Sequence, residues 1–148
     1  SASDRKIKGI IFDTNKTYSE GATFDMLTSE KISAFGGASR FINSFSTGDY
    51  AFYYVKGKGV VAAGRILSET AIQSEYIDSN ESYKMVQLLV PKNMPLQEKD
   101  LRAVPYKQMV ELLRPCRGFY MASTTKRPYL NEGDAIKLIN KLKSLYNE

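Results

Sequence analysis

The sequence predicts a single α+β domain built around a central β-hairpin, and three observations favour this fold class. Residues 48–67 read as a Gly-Asp turn, an aromatic strand, a short basic turn and a strand of small and branched residues. Strand-like segments at 7–12 and 83–90, together with a C-terminal amphipathic helix, surround this hairpin. The 148 residues contain no repeat, low-complexity tract or linker, so residues 1–148 are expected to form one domain.

The hairpin is the most informative segment of the chain. Its first strand should alternate between two faces, Tyr50, Phe52 and Tyr54 on one and Ala51, Tyr53 and Val55 on the other. In the return strand the same rule predicts two faces, one with Val60, Ala62, Gly64 and Ile66 and the other with Val61, Ala63, Arg65 and Leu67. The tip, Lys56-Gly57-Lys58-Gly59, places cations beside tyrosines, a combination that suits a planar, polyanionic ligand such as a nucleic acid.

The N-terminal half is predicted to alternate strand, loop and helix. Residues 7–12 form a buried strand, followed by a polar loop at 13–21 and an irregular apolar patch at 24–32 that suits a short helix. After Gly36-Gly37, apolar residues recur at helical spacing, which predicts an amphipathic helix carrying Ala38, Phe41, Ile42 and Phe45.

The C-terminal half is predicted to contain two strands and two helices. Residues 68–82 are polar and indicate a loop, and the strand at 83–90 ends at Pro91. Pro105 opens a helix, residues 119–124 suit a short strand, and Asn131 caps a final helix with Asp134 in its first turn. The apolar stripe of that helix is Ala135, Leu138, Ile139, Leu142 and Leu145.

Composition favours a binding protein over an enzyme. The chain has no histidine and one cysteine, Cys116, so the usual zinc sets and histidine-based nucleophile arrangements cannot form. We expect no metal, no cofactor and no catalytic residue. A net charge of +5 permits phosphate binding without demanding it. With no signal peptide and no long apolar run, a cytoplasmic location is expected, and the start at Ser1 without methionine indicates a domain excised from a longer protein.

The order of elements resembles the PUA-like superfamily, and within it the EVE domains of modification-dependent restriction systems. The segments that carry the resemblance are Met26-Leu27, the run from Ile32 to Ile42, Gly48–Tyr54 and Gly59–Arg65. The sequence departs from the family pattern at two places: Tyr54-Val55-Lys56 stands where the family commonly has Tyr-His-Ser, and Ala34-Phe35 replaces an Arg-Asn pair. Both departures affect which ligand the pocket is expected to bind more than they affect the fold.

The resemblance implies a curved, barrel-like mixed sheet of about five to six strands surrounded by helices. It also implies a pocket that takes a base lifted from its strand. The candidate pocket residues are Asp13, Thr14, Asn15, Ser33, Phe35 and Tyr54. The candidate contacts to a nucleic-acid backbone are Arg40, Lys56, Gly57, Lys58, Arg65, Lys84, Lys126 and Arg127.

Each candidate also has a structural interpretation. Tyr54 and Phe35 are aromatic residues that pack cores as often as they line sites. Asp13, Thr14 and Asn15 suit a turn that bonds its own backbone, and Ser33 suits a cap. The lysines suit a solvated turn, whereas Arg65, mid-strand among small residues, indicates an ion pair or a groove.

The function expected from these observations is non-catalytic recognition of a modified, methylated base in DNA by base flipping, as the specificity module of a restriction or defence protein. A separate nuclease or NTPase would then act on the marked DNA. The first alternative is a reader of modified RNA or tRNA with the same fold. The second is a protein-interaction module without affinity for nucleic acid, since tyrosine is enriched at protein interfaces.

Overall fold

The computed structural model describes residues 7–14, 22–35, 42–68, 72–76, 79–113 and 130–148. Within these ranges it contains seven strands and three α-helices. The strands are β1 (Lys8–Asp13), β2 (Lys31–Phe35), β3 (Tyr50–Val55), β4 (Gly59–Ile66), β5 (Ile72–Tyr76), β6 (Ser79–Val90) and β7 (Leu130–Asn131). The helices are α1 (Ala22–Thr28), α2 (Tyr106–Leu112) and α3 (Glu132–Leu145). The fold is α+β, as predicted.

The strands form a curled mixed sheet, a half-barrel, in the order β2-β6-β4-β3-β1-β7. The long strand β6 holds the sheet together because its first part pairs with β2 and β5 and its last part with β4. β1 lies parallel to β3, with Gly9 opposite Tyr50 and Asp13 opposite Tyr54. The parallel pairing therefore brings the C-terminal ends of β1 and β3 to the same edge of the sheet.

Two apolar clusters cover the two faces of the sheet. The first contains Ile10, Phe12, Ile32 and Tyr53 and packs under α1. Because β1 and β2 are far apart in the strand order yet share this cluster, it fills the inside of the curl. The second contains Ile11, Phe52 and Val60 and packs against α2 and α3. Each cluster removes apolar side chains from water, which is the main stabilising contribution for a domain of this size.

The alternation predicted for β3 is confirmed. Ala51, Tyr53 and Val55 belong to the first cluster, whereas Phe52 belongs to the second with Tyr50 and Tyr54 packed against it. In β4 the predicted alternation is wrong at its start, because Tyr54 pairs with Val60 and Tyr53 with Ala62. Val61 is the extra residue of a β-bulge, and a bulge shifts the side chains that precede it to the other face.

Three other expectations are corrected. Residues 42–44 lie in a 3₁₀ turn and not in the predicted amphipathic helix, although Ile42 and Phe45 are buried as the stripe predicted. Ala38 and Phe41 of that predicted helix lie outside the described residues. Residues 31–35 form β2, so Ser33 and Phe35 lie on a strand. Part of the expected polar loop at 68–82 is β5, which pairs antiparallel with β6. The strand expected at 119–124 lies outside the described residues.

The two C-terminal helices agree with prediction. Pro105 occupies the N-cap of α2. The Asn131 side chain accepts a hydrogen bond from the Asp134 amide at 2.8 Å, which caps α3 as expected. The α3 residues Ala135, Leu138, Ile139 and Leu142 are buried, and Leu145 is partly buried. No helix in the described part of the chain is long and apolar enough to cross a membrane.

Candidate nucleic-acid interface

The ends of β1 and β3 meet as the predicted pocket requires. Thr14 is buried, and its amide and its hydroxyl both donate to the Tyr54 carbonyl, at 2.9 and 3.0 Å. Asp13 is the register partner of Tyr54, although its side chain lies outside the description. Three of the predicted pocket residues are therefore neighbours at one edge of the sheet. Asn15 lies outside the described residues.

Tyr54 is half-buried and packs against the second cluster, on the face of the sheet that α2 and α3 cover. Its neighbour Tyr53 is fully buried on the opposite face, and its hydroxyl donates to the Lys31 carbonyl at 2.7 Å. Burial, and secondarily the charge of Glu30, raises the pKa of Tyr53 far above its usual value, so this phenol stays protonated as a donor. The hydrogen bond ties β3 to β2 across the inside of the curl.

Ser33 and Phe35 lie on the other side of the strand order, on β2. Ser33 is buried and pairs in register with Tyr83, and Phe35 pairs with Glu81. The side chain of Phe35 lies outside the description. The predicted pocket residues that the structure describes therefore form two groups, one where β1 and β3 end and one on β2.

The hairpin tip is the exposed, cationic part of the site. Lys56 and Gly57 are exposed and Lys58 is partly exposed. The turn is closed by a hydrogen bond from the Lys58 amide to the Val55 carbonyl at 2.9 Å. Gly57 has a φ of 83°, in the left-handed region that glycine adopts at low cost. The tip thus presents two ammonium groups to solvent on a defined turn, as the sequence predicted.

Arg65 is held at the opposite end of the same hairpin. Its Nε donates to the Gly48 carbonyl at 3.1 Å, and its guanidinium carbon lies 5.0 Å from the centroid of the Tyr50 ring. Arg65 pairs with Tyr50, six residues before Lys56, so the two cations lie roughly 20 Å apart along the strand at about 3.3 Å per residue. Arg65 therefore anchors the Gly-Asp turn, and the cationic tip is a separate feature.

Lys84 does not lie on an exposed basic surface, contrary to expectation. It is 2% exposed, and its ammonium donates to the Phe45 carbonyl. As the register partner of Ile32, it points from β6 toward the inside of the curl. A phosphate of a bound strand cannot reach a buried ammonium, so Lys84 has a structural role. Arg40, Lys126 and Arg127 lie outside the described residues.

The first residues of α2 form a surface beside the hairpin tip, and this surface was not predicted from the sequence. Tyr106 is 55% exposed and Lys107 is exposed, and together with Val110 and Glu111 they line a groove of about 380 Å³. The signal in the sequence is the aromatic-basic pair that directly follows Pro105. In the described part of the chain, no cluster of His, Cys, Asp and Glu could hold a metal ion.

Comparison with solved structures gives the class of fold. The YTH domain of Mmi1, solved in complex with RNA, matches with a TM-score of 0.58 at 9% identity, over 94% of this chain and 79% of that chain. A second structure of the Mmi1 YTH domain gives the same TM-score at 8% identity, over 94% and 76% of the two chains. The chain therefore has a curled half-barrel fold similar to that of YTH domains and related to PUA-like and EVE-like folds.

A hypothetical protein from Leishmania major also has this fold, with a TM-score of 0.54, 13% identity, and coverage of 97% of this chain and 98% of that chain. No protein-family model matches the sequence. No curated protein matches it either.

Proposed function

We propose that this chain is an RNA-binding domain that reads a modified base in a single strand. The observation that carries the proposal is the likeness of its fold to a YTH domain solved in complex with RNA, over 94% of the chain. A fold hosts many functions, so the site must support the assignment. The cationic tip and the exposed tyrosine of α2 supply the charges and the aromatic face that a single strand requires.

The base-reading part of the proposal uses the meeting point of β1 and β3. Asp13 and Thr14 lie beside Tyr54, in front of a tip that carries two lysines. Extruding a base costs a few kcal/mol in a duplex and less in a single strand, where bases are already accessible. A methyl group adds discrimination of about 0.8 kcal/mol when it is buried, which is roughly fourfold in affinity.

RNA is favoured over DNA because the similar structure is an RNA complex. Recognition of methylated DNA within a restriction system, with a nuclease or NTPase partner, stays a prediction from the resemblance of the sequence to EVE domains. The proposed domain binds without catalysis, so that any chemistry on the marked strand belongs to another protein or domain.

The test compares matched single strands of RNA and DNA, each unmodified or carrying one methylated adenine, cytosine or guanine. We expect RNA to bind more tightly than DNA, and one methylated RNA to bind at least about fourfold more tightly than its unmodified match. Tyr54→Ala should reduce this preference in a variant that keeps the unfolding midpoint of the wild type. Equal affinity for all strands, or a preference for DNA, would contradict the proposal.

A further inference from the structure

The hairpin tip and the start of α2 are locked together as one surface. Val60 and Val104 form an antiparallel bridge with both hydrogen bonds made, Val60 N to Val104 O at 3.0 Å and Val104 N to Val60 O at 2.9 Å. Gly59 lies so close to this segment that a Cβ on it would be 2.1 Å from the Val104 carbonyl oxygen. The two segments therefore cannot move apart without breaking both hydrogen bonds of this bridge.

The antiparallel direction of the bridge decides which residues become neighbours. The chain before Val60 runs alongside the chain after Val104, so the hairpin tip with Lys58 and the start of α2 with Tyr106 lie on the same side of the bridge. The combined surface carries the ammonium groups of Lys56, Lys58 and Lys107 around the exposed ring of Tyr106. These charges come from two segments that are about 50 residues apart in sequence, which is why no sequence motif reveals them.

The groove on α2 adds a concave element to this cationic surface. Its volume of about 380 Å³ falls within the range of small-ligand pockets. Its lining residues are the apolar Val110, which is 40% exposed, Tyr106, Lys107 and the acidic Glu111. The surface carries three lysines against one glutamate around an exposed aromatic ring, and an aromatic face beside cations suits a stacked base with its phosphates.

We propose that this surface, formed by Lys56, Lys58, Tyr106 and Lys107, binds the single-stranded RNA that flanks the recognised base. The inference rests on the proposed function and extends it to a second contact region. Tyr106 stacks on a flanking base next to the groove, and the three ammonium groups neutralise phosphates on either side. This contact reads no modification, so it contributes equally to the binding of modified and unmodified strands.

The experiment measures the affinity of the chain for an unmodified, mixed-sequence single-stranded RNA at several salt concentrations. Tyr106→Ala should weaken binding by roughly 5- to 150-fold, the range of one base-stacking contact. Tyr106→Phe keeps the ring and should bind as the wild type does. Log affinity falls as log salt concentration rises, and each lysine removed should make this fall shallower by about 0.7. The variants to measure are Lys107→Ala and the double variant Lys56→Ala/Lys58→Ala.

Lys137→Ala is the matched control, since Lys137 is an exposed helical lysine on α3. RNA binding by the wild type with unchanged affinity in Tyr106→Ala and Lys107→Ala would overturn this inference and leave the proposed reader function intact. Equal losses in Lys137→Ala would also overturn it, because they would show only a general charge effect. No RNA binding by the wild type, or competition by polyglutamate as strong as that by RNA, would overturn both proposals.

Discussion

The Nζ of Lys8 lies 2.6 Å from Oδ2 of Asp49, and the Asp49 side chain is fully buried. The same carboxylate accepts hydrogen bonds from the backbone amides of Ser46, at 3.0 Å, and Lys8, at 3.3 Å. This one group therefore ties the start of β1 to the turn that launches β3. The Gly48-Asp49 pair, which the sequence indicated only as a turn, is a junction that holds the parallel strands in register.

Removing Lys8 and removing Asp49 should lower the free energy of unfolding by different amounts. Lys8→Met leaves a buried carboxylate without its counter-ion, and we expect a loss of about 3–5 kcal/mol in the free energy of unfolding. Asp49→Asn leaves a lysine that is 25% exposed and can reach water, so its cost should be smaller, about 2 kcal/mol. Denaturant unfolding of both single variants and the double variant measures the coupling. Additive costs would show that the two side chains do not interact.

Two glycines in the β3–β4 hairpin provide a matched pair of tests. Gly59 has a φ of 127° and no room for a Cβ beside Val104, so Gly59→Ala should abolish or severely weaken folding. Gly57 also has a positive φ, but a Cβ there would meet nothing within 4 Å. Gly57→Ala should therefore cost only about 1–2 kcal/mol of backbone strain. Similar unfolding midpoints for the two variants would contradict the close contact between Gly59 and Val104.

The cap of α3 gives a third prediction. Asn131→Ala removes the acceptor of the Asp134 amide and should lower the free energy of unfolding by about 1 kcal/mol. Asn131→Ser restores a capping oxygen and should recover most of the loss. Thermal unfolding of the three proteins measures the difference. If Asn131→Ser were as unstable as Asn131→Ala, the side chain would stabilise the helix by some means other than the cap.

Patterns local in sequence were sufficient for much of the fold. The alternation in β3 and the cap at Asn131 depend on neighbouring residues, so both were predicted correctly. The Val61 bulge and strand β5 depend on how one strand pairs with the next, β3 with β4 and β5 with β6, and not on the residue pattern within a single strand. The segment 68–82 lacks the apolar alternation that marks a half-buried strand in sequence, and β5 is recognised by its antiparallel pairing with β6, from Ile72 opposite Tyr83 to Tyr76 opposite Ser79.

The same distinction applies to the candidate site. Asp13, Thr14 and Tyr54 were placed in one pocket through the family resemblance, and in the structure they are neighbours because the parallel strands β1 and β3 end at one edge. Lys84 was placed on the surface because lysine is rarely buried, and only the pairing of β6 with β2 shows that it points inward. Tyr106 was missed because its position beside the hairpin tip depends on the Val60–Val104 bridge.

Tyr146, near the end of the chain, should make the stability of the domain fall at alkaline pH. The Tyr146 hydroxyl donates to the Val61 carbonyl at 2.8 Å and accepts from the Arg102 amide at 2.9 Å. Burial, opposed by a backbone hydrogen bond from Arg102 and assisted by the charge of Glu148, raises the pKa of Tyr146 from 10.0 to about 12. Above pH 10 the unfolded chain loses this proton while the folded chain keeps it, so stability falls as pH rises from 10 toward 12.

Tyr146→Phe should remove this part of the pH dependence, at the cost of one hydrogen bond at neutral pH. We expect a lower free energy of unfolding at pH 7 by about 1 kcal/mol and a shallower decline above pH 10. Urea unfolding between pH 7 and 11.5 tests both. An identical decline in the wild type and the variant would show that Tyr146 titrates at its ordinary pKa in the folded domain.

A comparison of Lys84 with Lys56 distinguishes a lysine that stabilises the fold from a lysine that contacts RNA. Its ammonium is buried and donates to the Phe45 carbonyl, so Lys84→Met should leave that carbonyl without this donor and cost about 1–3 kcal/mol of stability. The salt dependence of RNA binding should not change in this variant, because no phosphate reaches the residue. Lys56→Ala should have the opposite pattern: little effect on stability, and a fall of log affinity with log salt that is shallower by about 0.7. A reduced slope in folded Lys84→Met would show that the buried lysine becomes accessible to the bound strand, and would place the RNA inside the curl of the sheet.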